Sequence, residues 1–254
     1  FSCKATDGKT YLYGTLYKPA NFDPKRKYPL LVSVYGGPSS RGVSNRYSAA
    51  YPHCEFGFLV ATIANRGTAA RSKAFETAGY LKLGTVDLDD QAAGVRHLAK
   101  RSYVDATRVG IAGHSYGGYM SALALLRYPE VFHVGVAGAP VTDWKNYDTI
   151  YTERYMRTPK ENPDGYRAGS CLSYAKNLKG KLLLLHGLID DNVHPANTWQ
   201  LADALQRAGK QFDMMIYPRS KHGLISHSGS LRWLYLQRHL RPEPIIIKSA
   251  SKKD

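Results

Sequence analysis

The stretch Val109-Gly110-Ile111-Ala112-Gly113-His114-Ser115-Tyr116-Gly117-Gly118-Tyr119-Met120 joins a short apolar run to a Gly-x-Ser-x-Gly motif and then to a helical pattern. This order is typical of a nucleophile elbow, a strained strand-to-helix turn that exposes a serine hydroxyl at the end of a sheet. Gly113 and Gly117 stand where side chains would collide in such a turn. Because a strand precedes the motif and a helix follows it, we interpret Ser115 as a nucleophile and not as an ordinary serine in a glycine-rich loop.

Strand-like and helix-like segments alternate along the rest of the chain. Apolar or alternating runs predict strands over 11–17, 29–35, 57–63, 132–138, 181–186 and 212–217, the first of them at a sheet edge. Helical spacing predicts helices over 86–101, with Thr85 as N-cap, and over 118–127, 198–208 and 229–240. The segment 144–174 lacks a clean period, and we expect short helices there that cover the active-site edge. Together with the elbow, this alternation predicts the α/β-hydrolase fold, with a mostly parallel central sheet and helices on both faces.

The length of 254 residues fits one α/β domain, which we assign to residues 1–241, followed by a flexible tail over 242–254. The three cysteines, Cys3, Cys54 and Cys171, are widely separated and form no Cys-x-x-Cys pair. This spacing suggests neither a metal site nor a disulfide framework, and it leaves the redox compartment open.

A formal net charge of +15 raises the question of nucleic-acid binding. The densest basic runs, 25–27 and 248–253, lie in an expected loop and in the tail, and the other basic residues are spread along the chain. This distribution favours a solvated basic surface without a nucleic-acid partner, although an acidic partner stays open.

No apolar run approaches the ~20 residues that span a bilayer. Since the chain opens at Phe1, we expect sequence upstream of it, and we slightly favour a periplasmic or secreted location over a cytoplasmic one.

The glycine-rich turn Gly36-Gly37-Pro38 follows an early strand. It lacks the Gly-Lys-Ser/Thr ending of a phosphate-binding loop, so we reject a nucleotide site and expect no cofactor. In hydrolases with a nucleophile elbow, the turn at this place helps to build the oxyanion hole.

A serine hydroxyl needs a base within hydrogen-bonding reach and a carboxylate that orients the base. After Ser115 the chain offers the segment 186–194 past one strand and His222 past the next, which is the order of Ser, acid and His on this fold. Among rival histidines, His186 belongs to a strand end and is expected to pack there, and His194 is the other alternative. We therefore predict His222 as the base.

These residues also carry a family resemblance. The sequences Gly113-His114-Ser115-Tyr116-Gly117-Gly118-Tyr119, Asp190-Asp191-Asn192-Val193-His194 and His222-Gly223 together resemble the prolyl oligopeptidase family of serine peptidases. The segment 141–156, Val-Thr-Asp-Trp-Lys-Asn-Tyr-Asp-Thr-Ile-Tyr-Thr-Glu-Arg-Tyr-Met, is more specific and resembles the dipeptidyl peptidase IV branch. The resemblance runs from about Phe1 to Leu240.

The resemblance implies roles for individual residues. Ser115 would be the nucleophile, Asp190 rather than Asp191 the orienting carboxylate, and His222 the general base. Tyr35, through its hydroxyl, and Tyr116, through its backbone N–H, would form the oxyanion hole. The expected substrate-binding residues wall a proline pocket, with Asn192 holding a substrate carbonyl, and comprise Tyr116, Val141, Trp144, Tyr147, Tyr151, Asn192 and Val193. The spacing of 144, 147 and 151 also predicts three rings on one face of a helical turn, although such a stripe is often core packing.

The resemblance further implies a C-terminal catalytic domain that releases N-terminal dipeptides after proline or alanine. The partners of this domain would be peptide substrates and an N-terminal β-propeller of the same protein, which holds the free substrate amine. A homodimer is a possible assembly. His114 departs from the tryptophan of many members of this branch. Three alternatives are a tripeptidyl or broader oligopeptidase, an esterase or other acyl-hydrolase, and an inactive binding module. The intact Ser115, Asp190 and His222 argue against the inactive module.

Overall fold

The structure is a computed structural model that describes residues 1–44, 46, 51–69 and 71–242. The predicted tail over 242–254 lies outside the described residues from 243 onward. In the described part, the strands are β1 (Ser2–Lys4), β2 (Tyr11–Tyr17), β3 (Tyr28–Ser33), β4 (Leu59–Ala64), β5 (Val104–His114), β6 (Val134–Gly138), β7 (Lys181–Gly187) and β8 (Asp213–Tyr217).

These strands form one sheet in the order β1-β2-β4-β3-β5-β6-β7-β8. The pairs β1–β2 and β2–β4 are antiparallel, and the other pairs are parallel. The helices are α1 (Lys73–Glu76), α2 (Val86–Leu98), α3 (Tyr116–Arg127), α4 (Thr149–Met156), α5 (Pro163–Gly169), α6 (Ala196–Arg207) and α7 (Ser226–Leu240). The predicted α/β-hydrolase fold is confirmed.

The central strands are apolar on both faces because helices cover both. In β7, Leu182 and Leu184 join the core under α2, α3 and α6, whereas Leu183 and Leu185 join the core under α7. Successive side chains of a strand point to opposite faces, so a continuous apolar run is what a doubly covered strand requires.

Two local predictions need correction, and the structure adds two short elements. Strand β2 is not at the edge, because the short strand β1, which has no periodic signal of its own, pairs with its outer side. Thr85 stands at the N-cap of α2 but makes no capping hydrogen bond: its hydroxyl donates to the Lys82 carbonyl, and the Leu88 N–H of the first turn is accepted by Asp87 Oδ1. Residues 52–56 form a 3-10 turn and 73–76 form α1, neither of which the apolar pattern indicated.

The segment 144–174 folds as expected into short helices, which are α4, α5 and two 3-10 turns. No helix within the described residues is long and apolar enough to cross a membrane.

Candidate active site

Ser115 lies at the sharp turn between β5 and α3, with φ 59° and ψ −121°. A non-glycine residue rarely adopts a positive φ, so the turn is strained as a nucleophile elbow is. A Cβ on Gly113 would lie 2.3 Å from the Val34 carbonyl oxygen, and a Cβ on Gly117 would lie 2.2 Å from the same atom. The two glycines are therefore required for space, because β3 and the elbow approach closely there.

The elbow places Ser115 at the N-terminus of α3. The Ser115 backbone N–H donates to the Gly138 carbonyl at 2.8 Å, which ties the turn to β6. Tyr116 is the first helical residue, so its N–H has no acceptor within the helix. An N–H at the positive end of a helix suits a developing negative charge next to Ser115.

Asp190 and His222 meet at the carboxyl edge of the sheet. His222 Nδ1 lies 2.9 Å from Asp190 Oδ2, and the Asp190 side chain is fully buried. Asp190 Oδ1 accepts the backbone N–H groups of Asn192 at 3.0 Å and Val193 at 2.9 Å. One carboxylate oxygen is thus held by the loop after β7, while the other faces the His222 imidazole and also lies 3.3 Å from His186 Nε2.

The neighbouring Asp191 points elsewhere. Its carboxylate accepts a hydrogen bond from Lys221 Nζ at 2.8 Å, and both side chains are exposed. This hydrogen bond lowers the pKa of the Asp191 carboxyl. An exposed ion pair of this kind contributes little to stability, and it leaves Asp190 as the carboxylate that contacts the His222 ring.

Among the described residues, the Ser115 hydroxyl makes no hydrogen bond to His222. The His222 ring packs instead on the ring of His114, next to Ser115, with centroids 4.8 Å apart. Hydrogen bonds between a nucleophile and its base are often long without substrate and tighten in the complex. The structure thus brings Ser115 and the Asp190–His222 pair to one edge of the sheet.

His186 is fully buried and held by two hydrogen bonds. Its Nε2 lies 2.8 Å from the Val193 carbonyl and its Nδ1 2.6 Å from the Thr198 hydroxyl. Since a carbonyl only accepts, Nε2 carries the proton and Nδ1 accepts from Thr198. Burial lowers the pKa of His186, which favours the neutral ring. His186 therefore packs at the strand end as expected, and His194 is exposed, with its Nδ1 accepting from the Ala196 N–H.

An aromatic cavity of ≈ 20 Å³ adjoins Ser115. Its lining contains Ser115 and six residues predicted from the sequence, which are Tyr35, Tyr116, Val141, Trp144, Tyr147 and Tyr151. Two expected substrate-binding residues, Val193 and Asn192, lie outside this lining. Val193 is fully buried, whereas Asn192 is exposed and accepts a hydrogen bond from the Tyr147 hydroxyl at 2.9 Å.

The predicted helical stripe of rings is wrong in its geometry. Trp144 lies in a 3-10 turn, Tyr147 has an extended backbone, and Tyr151 lies in α4. The rings nevertheless meet, because the chain turns between them: the Trp144 ring is 6.1 Å from that of Tyr147 and 6.0 Å from that of Tyr151. Trp144 is 1% exposed, so it belongs to the core and to the cavity wall at once.

Tyr35 is well placed to act as a hydrogen-bond donor. The side chain is 48% exposed, and its hydroxyl has no partner among the described residues. Partial burial raises the pKa of the phenol, so the hydroxyl keeps its proton at neutral pH. The Tyr35 ring lies 6.0 Å from that of Tyr116, which places the two expected oxyanion-hole residues side by side.

Asp87 escaped the sequence analysis. Its buried carboxylate accepts a hydrogen bond from the Tyr116 hydroxyl, and both residues line a second cavity of ≈ 520 Å³. An Asp in the first turn of a helix is usually an exposed helix-favouring residue, so no sequence signal distinguished this one.

Within the described residues, no cluster of three His, Cys, Asp or Glu side chains could hold a metal ion.

Comparison with known proteins gives consistent matches. A protein-family model described as the prolyl oligopeptidase family matches residues 44–239. The chain is similar to dipeptidyl peptidase 8 of Homo sapiens and of Mus musculus, with 43% identity over 251 residues that cover 95% of this chain and 28% of either relative. It is also similar to the crystal structure of Porphyromonas gingivalis dipeptidyl peptidase 4, with a TM-score of 0.89 and 40% identity over 94% of this chain and 35% of that one. The chain therefore spans about a third of the length of these relatives.

Proposed function

Because the chain belongs to the prolyl oligopeptidase family, we propose that it forms the catalytic domain of a serine peptidase that releases N-terminal dipeptides. The observation that carries this proposal is the Asp190–His222 hydrogen bond at the same sheet edge as the strained Ser115 elbow. The names of the similar proteins support dipeptide release, since each is called a dipeptidyl peptidase.

In the proposed reaction, Ser115 Oγ attacks the carbonyl carbon of the scissile bond while His222 Nε2 takes the hydroxyl proton. The Tyr116 N–H and the Tyr35 hydroxyl donate hydrogen bonds to the oxygen that becomes negative. His222 then gives its proton to the leaving amine, and an acyl-enzyme ester remains on Ser115. Water attacks that ester while His222 takes one of its protons, and His222 returns that proton to Ser115 Oγ as the second tetrahedral intermediate collapses and the dipeptide is released.

We further propose that the aromatic cavity beside Ser115 binds the proline or alanine before the scissile bond. A proline ring is compact, apolar and rigid, so a fitted apolar slot selects it best. Val141, Trp144 and Tyr151 supply apolar faces to the walls, and Ser115, Tyr35 and Tyr147 add hydroxyl groups. The cavity volume of ≈ 20 Å³ holds about one water molecule, so a proline ring enters only if the walls move apart, and a long side chain would need a larger opening.

The specificity for dipeptides would depend on a part of the protein outside this chain. We propose an N-terminal β-propeller that holds the free amine of the substrate, and a homodimer as the assembled form. The short share of each relative that the chain covers supports a further domain.

The proposal is tested on the full-length protein with Gly-Pro-anilide and its N-acylated form. A dipeptidyl peptidase cleaves only the first, because the acylated amine cannot be held as a cation. A fluorophosphonate should label wild type and the matched control Ser102→Ala, an exposed serine in a distant turn, but not Ser115→Ala. Turnover by Ser115→Ala would overturn the nucleophile, and equal cleavage of both anilides would overturn dipeptide release in favour of an oligopeptidase.

A further inference from the structure

Tyr116 connects the two groups that would form the oxyanion hole. Its own N–H starts α3 beside Ser115, and its ring packs on the turn that follows Tyr35. A Cβ added to Gly37 would lie 2.7 Å from Tyr116 Cγ, so the Gly37 backbone lies directly against the ring. The ring is thus a spacer between the Tyr35 loop and the elbow.

The far end of this spacer is fixed by Asp87. One Asp87 carboxylate oxygen accepts the Tyr116 hydroxyl at 2.5 Å and the Gly84 N–H at 3.1 Å. The other oxygen accepts the Leu88 N–H at 3.0 Å. Asp87 is 2% exposed, and burial raises the pKa of its carboxyl to about 6. The two backbone N–H donors favour the ionised form, and an anionic acceptor makes the bond to Tyr116 stronger than a neutral one would.

The Tyr116 ring is packed among aromatic side chains. The ring lies 5.5 Å from that of Trp144 and 5.4 Å from that of Tyr119, and the residue is 3% exposed. A buried hydroxyl needs a partner, and among the described residues Asp87 is the partner it has. If Asp87 were lost, the Tyr116 hydroxyl would lose this anchor, and the cavity of ≈ 520 Å³ that both residues line would leave the ring room to shift.

We propose that Asp87 is a positioning residue for the oxyanion hole: by anchoring the Tyr116 hydroxyl, it sets the spacing between the Tyr116 N–H and the Tyr35 hydroxyl around Ser115. This inference rests on the proposed function. Asp87 itself does not touch substrate, and it acts through the Tyr116 ring. A displacement of the order of 1 Å at a catalytic group costs up to about 100-fold in rate, so an anchor at this point has a large effect.

A matched control exists on the same helix. Asp89 Oδ1 accepts the Tyr128 hydroxyl at 2.6 Å and lies 3.2 Å from Arg127 Nη2. This pair has the same chemistry as Asp87–Tyr116, but it joins α2 to the end of α3 remote from Ser115. Asp89→Ala and Tyr128→Phe therefore report what loss of a Tyr–Asp bond at α2 does to the protein as a whole.

The experiment uses full-length protein and compares wild type with Asp87→Ala, Asp87→Asn, Tyr116→Phe and the double variant Asp87→Ala/Tyr116→Phe. We expect kcat on Gly-Pro-anilide to fall about 10- to 100-fold in Asp87→Ala, with KM changed less than about threefold. Asp87→Asn should lose less, because its amide oxygen still accepts from Tyr116. The double variant should be no slower than the slower single variant, because both changes remove the same bond. The control variants should stay within about twofold of wild type.

The rate of fluorophosphonate labelling at Ser115 provides a second readout, because the phosphoryl oxygen enters the same hole whatever peptide the enzyme prefers. It separates the two proposals: if Gly-Pro-anilide is not cleaved but labelling slows in the Asp87 variants, the substrate assignment fails and the positioning role stands. If Asp87→Ala does not fold, judged by circular dichroism, Tyr116→Phe removes a single oxygen and decides the question. Unchanged kcat and labelling in a folded Tyr116→Phe, multiplicative losses in the double variant, or equal losses in the Asp89 control would each overturn the positioning role.

Discussion

Replacing Asp190 by Asn should inactivate the enzyme through the tautomer of His222, and the local hydrogen bonds determine how. The Oδ1 position faces two backbone N–H donors, from Asn192 and Val193, so the amide oxygen of the new side chain must occupy it. The amide nitrogen is then forced into the Oδ2 position, opposite His222 Nδ1. An NH2 group there donates to Nδ1 and leaves the imidazole proton on Nε2, where a base would need a lone pair.

The expected loss of kcat in Asp190→Asn follows from which hydrogen bonds the substitution keeps. The two loop hydrogen bonds remain, so the fold should be retained, while the base is held in the wrong protonation state. We expect kcat to fall on the order of 10⁴-fold, which corresponds to about 5 kcal/mol of transition-state stabilisation. The matched control is Asp191→Asn, which removes only the exposed bond from Lys221 and should stay within about twofold.

The assay is steady-state hydrolysis of Gly-Pro-anilide by the full-length protein, with thermal unfolding as a check on the fold. Proton NMR adds a direct observation, since the Nδ1 proton that is hydrogen-bonded to Asp190 in the wild type should be absent in Asp190→Asn. A loss below about tenfold in a folded Asp190→Asn protein, or a larger loss in Asp191→Asn, would refute the assignment of the orienting carboxylate.

Two further predictions concern the pocket and the pH dependence. A fitted pocket should prefer Gly-Pro over Gly-Ala anilide by roughly 10- to 200-fold in kcat/KM. Tyr147→Ala opens the cavity wall, so this preference should fall while Ser115 still reacts with a small organophosphorus compound. The control is Tyr155→Ala, because the Tyr155 ring contacts Tyr151 outside this lining, and an unchanged preference in Tyr147→Ala would contradict the pocket. Burial lowers the pKa of His114 to about 4, below an unfolded value near 6.5, so the unfolded state takes up the proton first and stability is lost as pH falls from about 6.5 to 4. His114→Gln should weaken this pH dependence of the melting temperature, and an identical acid profile would show that other groups cause it.

The elbow could be predicted from sequence because its requirements are local. Gly113 and Gly117 are needed wherever a strand turns sharply into a helix against a neighbouring strand, and that need leaves a fixed spacing around Ser115. The buried strands were equally visible, since coverage on both faces demands continuous apolar runs.

The missed features depend on contacts that leave no periodic pattern. Asp87 accepts a hydrogen bond from a residue 29 positions later, and nothing at the start of α2 indicates that partner. The rings of Trp144, Tyr147 and Tyr151 were placed on one helix from their spacing, but a 3-10 turn and an extended residue bring them together instead. Tertiary packing therefore decides both, and only the residue types could be anticipated.

The position of the candidate site follows from strand order together with one more glycine. Strand β3 lies beside β5, so the Tyr35 loop emerges next to the elbow, and β7 lies beside β8, so the Asp190 loop emerges next to the His222 loop. Parallel strands release all these loops at one edge, but the last pair must also approach closely enough for a hydrogen bond. Gly187 ends β7 opposite Tyr217, and a Cβ there would lie 2.3 Å from the carbonyl oxygens of Ser220 and Lys221. A larger residue would push the His222 loop away from Asp190, so the missing side chain at Gly187 lets the two loops approach closely enough for the Asp190–His222 hydrogen bond.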